Sequence, residues 1–130
     1  MTTPFVCVLI AFILIFVPKL PLSMAMAKQP GGYDNKSPRA QQDALDGFGQ
    51  RARGAHYNGF EAFGGFAAAV IIAHIAGAND HRSAVLAIAF VVARGLYIAA
   101  YLANQDYLRS ALWGIGFLST IALFCLPWLT

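Results

Sequence analysis

The sequence predicts an all-α integral membrane protein, a four-helix bundle of spanning helices, on three observations. Hydrophobic residues make up 58% of the 130 residues and charged residues only 12%, about half the charged share of ordinary soluble domains. The mean hydropathy is +0.60. The apolar residues gather into four long runs separated by polar turns. A soluble domain of this size leaves much of its surface in water and has too small a core to hide so much apolar area. Lipid is the solvent that suits the remainder. The chain is long enough for a single membrane domain, residues 1–130.

A spanning helix needs about 20 mostly apolar residues. The first run covers residues 4–27 and is interrupted by Pro18, Lys19 and Pro21. The prolines are expected to kink or end the helix, and Lys19 to snorkel toward an interface. Phe5 to Val17 also resembles a signal-peptide apolar region, with Ala25-Met26-Ala27 as a small-residue site. Met1 to Phe5 carries no Lys or Arg, so the basic head of such a signal is missing and the reading keeps a first helix. The other runs cover residues 54–77, 83–104 and 107–129. None repeats another closely enough to indicate a duplication. Cys7 and Cys125 fall inside apolar runs and read as buried structural thiols.

Residues 28–53 form the long polar loop, with the turn formers Pro30, Gly31, Gly32, Asn35 and Pro38. It carries Lys28, Lys36, Arg39, Arg51 and Arg53, whereas the next loop holds Arg82 alone and the last holds Arg109. By the positive-inside rule the long loop and the Arg109 turn face the cytoplasm, and both termini face the periplasm or a lumen. The net charge of +3 does not indicate a nucleic-acid partner, because the cations flank apolar runs instead of lining a soluble face.

Polar groups inside spanning helices are costly and call for a partner or a purpose. Asn58 and Glu61 stand at i, i+3 on the second run, with Gly65 one turn on. Arg94, Tyr97 and Tyr101 stand at i, i+3 and i+7 on the third, and Asn104 and Gln105 extend that stripe. With a rise of about 1.5 Å per residue, Glu61 lies roughly 10 Å and Arg94 roughly 15 Å from the cytoplasmic helix ends. At such depths the two can neutralise each other, which is the structural reading. The functional reading adds the tyrosines, with Arg51, Arg53 and Arg109 at the mouth of a crevice suited to a small anionic ligand. His56, His74 and His81 have no metal-ligand spacing, and there is no phosphate-cradling loop or nucleophile elbow. Gly59, Gly64, Gly65, Gly114 and Gly116 read as close helix packing. Trp113 and Trp128 read as interfacial anchors, with Trp113 deep for that role.

The stretch Arg53-Gly54-Ala55-His56-Tyr57-Asn58-Gly59-Phe60-Glu61, the stripe Arg94, Tyr97, Tyr101 and the loop Asn35-Lys36-Ser37-Pro38-Arg39 together resemble the MAPEG superfamily of membrane-associated proteins in eicosanoid and glutathione metabolism, in its bacterial form. The resemblance covers nearly the whole chain. It implies a homotrimer of four-helix subunits with glutathione, the co-substrate, in a crevice between neighbours. Asn58, Glu61, Tyr97 and Tyr101 would be ligands, and Arg94 matches the family's third-helix arginine. Arg109 lies within about one residue of a fourth-helix arginine that activates the thiol in some members, and Ser110 follows it. One position departs: the arginine expected four residues before Asn58 is Gly54, and Arg53 beside it points about 100° around the helix.

The implied function is a membrane-bound glutathione-dependent transferase or peroxidase acting on lipophilic electrophiles. Arg109 and Tyr101 would be catalytic, since a nearby cation favours the attacking thiolate. Arg51 and Arg53 would grip carboxylates, and Asn58, Glu61, Arg94, Tyr97 and Tyr101 would hold the tripeptide. The acceptor would arrive through membrane lipid. Two alternatives stay open: a non-catalytic lipid-binding or scaffold trimer, to which Gly54 gives substance, and a small transporter or accessory subunit of a larger complex. The absence of an inverted repeat speaks against an autonomous transporter.

Overall fold

In the computed structural model, which describes residues 1–129, the elements are α1 (Thr3–Phe16), α2 (Lys19–Ala27), α3 (Pro38–Asp43), α4 (Gly47–Ile75), α5 (Asp80–Leu102) and α6 (Asp106–Cys125), with a 3₁₀ turn at Leu126–Leu129. No strand occurs among the described residues. Four stretches are long and apolar enough to cross a bilayer: Thr3–Ala27, Gly47–Ile75, Asp80–Leu102 and Asp106–Leu129. Leu9, Ile13, Val85, Val92, Leu96 and Leu118 lie exposed on them, as side chains in lipid do. The protein is an integral membrane protein.

α4 and α5 pack together at the centre, α1 touches both on one side, and α6 touches both on the other. The rings of Phe66 and Phe90 stack at 3.8 Å across the α4–α5 contact. Cys7, Ala11, Ala69, Val70, Ala87 and Leu123 surround them. The alanines keep the backbones close, which favours dispersion contacts where lipid removes the hydrophobic drive for association. Cys7 is buried and Cys125 half-buried.

α1 and α2 are divided at Val17–Pro18. Pro18 and Pro21 lack the N–H that would continue the helical ladder, so the carbonyl of Val17 accepts instead from Leu20 N at 3.3 Å. The Ile15 carbonyl beside the break is met by Nδ1 of the buried His56 at 2.7 Å. A carbonyl only accepts, so Nδ1 carries the proton. At Gly59, one turn on, α1 comes close: a Cβ there would stand 3.1 Å from the Ile15 Cα.

α4 starts seven residues before the expected Gly54. Its glycines and arginines read as loop, yet Ala52 is buried with Leu22, Met26 and Leu45, and Gly49 lies close to Ala25. Packing against α2 outweighs the low helix propensity of glycine. The 29 residues of α4 span about 44 Å, well beyond a hydrocarbon core of about 30 Å, so the first turns project from the membrane. Asn104 and Gln105 likewise do not continue the α5 stripe. Asn104 adopts φ +58°, and Gln105 N donates to the Ala100 carbonyl at 2.9 Å while Asn104 N donates to Tyr101 O at 3.1 Å. This is a helix-closing turn that an asparagine tolerates better than most residues.

Candidate functional site

The tight turn after α5 brings the start of α6 back against the end of α5, and this sets the site. Arg109, one turn into α6, lies with its guanidinium carbon 4.6 Å from the centre of the Tyr101 ring. Tyr101 in turn meets Tyr97 edge-on at 5.7 Å. The Arg94 guanidinium lies 4.1 Å from the Tyr97 ring centre, a cation–π contact of the kind that gains strength away from water. Because residues 94, 97 and 101 share one helix face, the three form an unbroken ladder along α5.

α4 supplies the other side. Arg94 is buried, with 5% of its surface accessible, and Nη1 donates to Asn58 Oδ1 at 2.8 Å. Asn58 Nδ2 donates to Glu61 Oε2 at 3.2 Å. The direct neutralisation of Glu61 by Arg94 expected from depth is therefore replaced by a relay: the amide accepts from the cation and donates to the carboxylate. The only ion pair among the described residues is Arg53 with Asp43, at 2.5 Å.

Six of the expected residues come together: Asn58, Glu61, Arg94, Tyr97, Tyr101 and Arg109. Arg51 sits nearby, its Nε donating to the Leu102 carbonyl at 3.4 Å, where it helps close the end of α5. Arg53 points elsewhere, toward Asp43 on α3, with its guanidinium 4.6 Å from the Tyr57 ring. Tyr57 donates to Gln42, as does Arg39, so this face of α4 is occupied by α3. Gly54, not Arg53, faces α5. A Cβ on Gly54 would overlap the Tyr101 hydroxyl and stand 2.6 Å from Tyr101 Cζ. The tyrosine lies across α4 in the space a side chain at position 54 would need, which is why glycine fits there.

Two cavities adjoin these residues. One of about 260 Å³ is lined by Tyr97, Tyr101, Arg109, Ser110 and Trp113. The other, of about 320 Å³, lies between α4, α5 and α6, where Glu61 and Arg94 face Phe90, Trp113, Phe117 and Phe124. Trp113 belongs to both walls. Trp113, expected as an interfacial anchor, stands here with Phe90, Phe117 and Thr120, which were not among the expected site residues. The available signal was the helical spacing of Arg109, Trp113, Gly116 and Thr120, which puts them on one side of α6. Arg94 extends along that side: a Cβ at Gly116 would meet its Cδ at 3.7 Å.

The arrangement offers a cationic and hydroxyl-bearing chamber beside an aromatic one, both reached from a bilayer-embedded bundle. Residues 3–128 match the family model described as MAPEG family. No curated protein and no solved structure matches the chain.

Proposed function

The chain belongs to the MAPEG family, and on that premise we propose that it is a membrane-bound glutathione-dependent transferase or peroxidase for lipophilic electrophiles, acting as a homotrimer. The observation that carries this reading is the continuous ladder Glu61–Asn58–Arg94–Tyr97–Tyr101–Arg109 beside a polar cavity that shares a wall with an apolar one. The donor set suits the tripeptide: Glu61 can accept from an ammonium, while Arg94, Arg109 and Arg51 can answer carboxylates and a thiolate.

Glutathione supplies the thiol, whose sulfur either forms a C–S bond as the leaving group departs with its electron pair, or, two thiols together, gives two electrons and two protons to a hydroperoxide to yield disulfide, alcohol and water. Arg109 holds the sulfur in its anionic form by placing positive charge beside it. Tyr101 fixes Arg109 through ring contact and lines the same chamber. Asn58 keeps Arg94 and Glu61 apart and oriented, so each retains hydrogen-bonding capacity for the substrate. The apolar acceptor enters from lipid. In the proposed orientation the long loop and the Arg109 turn face the cytoplasm of a bacterial inner membrane, where glutathione is available.

Glutathione binding by the detergent-purified protein, followed by conjugation of a small aromatic electrophile, tests the reading. Turnover that falls roughly a hundredfold in Arg109→Ala, the scale of losing one charge-stabilising group, supports it. Absence of binding at millimolar glutathione overturns it. A second reading, a non-catalytic trimer that binds lipid, is favoured by Gly54 and by the engagement of Arg53 with Asp43, which together leave α4 fewer free cations. Binding without turnover selects it. Cross-linking in native membranes reads the trimer independently.

A further inference from the structure

On the side of the α4–α5 pair away from α6, where α1 breaks against α4, two cations stand above an exposed strip of aromatic rings. We propose that this surface binds one anionic phospholipid of the leaflet on the long-loop side, with Lys19 and Arg39 answering the phosphate and Phe12, Phe16 and Phe60 taking an acyl chain. The inference rests on the membrane-spanning bundle alone and not on glutathione chemistry.

Depth comes first. Counting back about 30 Å, or roughly 20 residues, from Ile75 at the far end of α4 puts the edge of the hydrocarbon near position 55. His56 and Tyr57 therefore stand at that edge. Phe16 packs against His56 with ring centres 5.8 Å apart, so Phe16 lies at the same level and Lys19, one turn on, reaches the layer of lipid phosphates. Below the edge the rings join in series. Phe60 meets Phe16 at 5.8 Å, Phe16 meets Phe12 at 5.4 Å, and Phe12 meets Phe63 at 5.8 Å. Phe12, Phe16 and Phe60 are all exposed, a continuous apolar surface leading down from the cations. His56 fixes the layout, because its bond to the Ile15 carbonyl holds the broken end of α1 beside α4.

Charge selects the headgroup. Lys19 and Arg39 are both near enough for their charge to act on the His56 ring, which places the two cations around one spot. Arg39 is oriented by Nη1, which donates to Gln42 Oε1 at 3.1 Å and to the Tyr57 hydroxyl at 3.2 Å. Its Nε and Nη2 have no partner among the described residues and remain free to fork onto a phosphate. Neither Lys19 nor Arg39 forms an ion pair among the described residues. The nearby carboxylates are engaged elsewhere: Asp43 with Arg53, and Asp34 with the backbone of Lys36 and Ser37. Two uncompensated cations attract a headgroup of net negative charge. A zwitterionic lipid would bring an ammonium against them and gain little.

The test titrates the full chain, purified and delipidated in detergent, with dioleoylphosphatidylglycerol and dioleoylphosphatidylcholine, and counts bound lipid by native mass spectrometry. Preferential binding of the glycerol lipid is expected. An interfacial cation contributes about 1 kcal/mol toward an anionic lipid, so Lys19→Gln or Arg39→Gln should weaken that binding roughly fivefold and the pair roughly thirtyfold. Lys28→Gln with Lys36→Gln removes the same charge from exposed positions of the polar loop and should leave it unchanged. Equal binding of the two lipids overturns the proposal, as does an equal loss in the Lys28 and Lys36 control, which would report general surface charge. A photo-reactive benzophenone in place of Phe16, irradiated in native membranes, identifies the occupant and keeps the test open if the double variant does not fold. Adducts with phospholipid are expected. Capture of a second copy of the chain in their place shows a subunit interface and overturns the lipid site.

Discussion

Replacing Gly54 by alanine probes the contact that holds the site in its present form. In an ordinary helix interior Gly→Ala stabilises by about 1 kcal/mol. Here the new Cβ would stand 2.6 Å from Tyr101 Cζ, and Tyr101 is held on its other sides by Tyr97 and Arg109. Forcing a methyl into such packing costs about 1–3 kcal/mol, and loosening the Arg109 contact costs about 0.5–1 kcal/mol more. The expected net effect is destabilisation of about 1–2 kcal/mol. In a Tyr101→Leu background the obstruction is gone, and the same change should stabilise by about 0.5–1 kcal/mol. Unfolding free energies from SDS titration of the four proteins close a double-mutant cycle with a coupling of about 1.5–3 kcal/mol. If Gly54→Ala shifts stability equally in both backgrounds, the tyrosine does not occupy that space and the account of glycine at position 54 is wrong.

Three further outcomes follow from the same contacts. Asn58→Leu leaves the buried Arg94 without its acceptor and should destabilise by about 2 kcal/mol, read by the same titration, while Glu61→Gln, at an exposed carboxylate, should change little. His56→Ala strips the Ile15 carbonyl of its donor and should cost about 1–3 kcal/mol, with His56→Gln recovering part; equal loss in both would deny the hydrogen bond its role. Gly54→Arg, which installs the arginine the family pattern expects, should lower glutathione affinity by displacing Tyr101; isothermal titration showing tighter binding would contradict the packing described.

The bundle was legible because charge is scarce and the apolar runs are long, and the two polar faces were legible because 3.6-residue periodicity places Asn58 with Glu61 and Arg94 with Tyr97 and Tyr101. What escaped were features that depend on a second helix. Whether Arg94 meets Glu61 or Asn58 is set by the rotation of α4 against α5, which spacing along either helix does not contain. Arg53 and Gly54 are neighbours in sequence, yet α3 takes one and α5 the other. The early start of α4 is a tertiary effect of α2 covering Ala52. Trp113 has the same composition signal as an anchor, and only the fold shows it between two cavities.

The buried arginine of α5 also bears on how the protein is made. A lone arginine at a helix centre opposes membrane insertion by about 2.5–3.5 kcal/mol. α4 is synthesised first, and Asn58 is already present on it when α5 emerges; the turn joining the two helices is only a few residues long. Arg94 can then enter lipid with its acceptor in place, so α4 and α5 are expected to leave the translocation machinery as a hairpin. Biogenesis would thereby join the polar relay before α6 arrives to complete the fold.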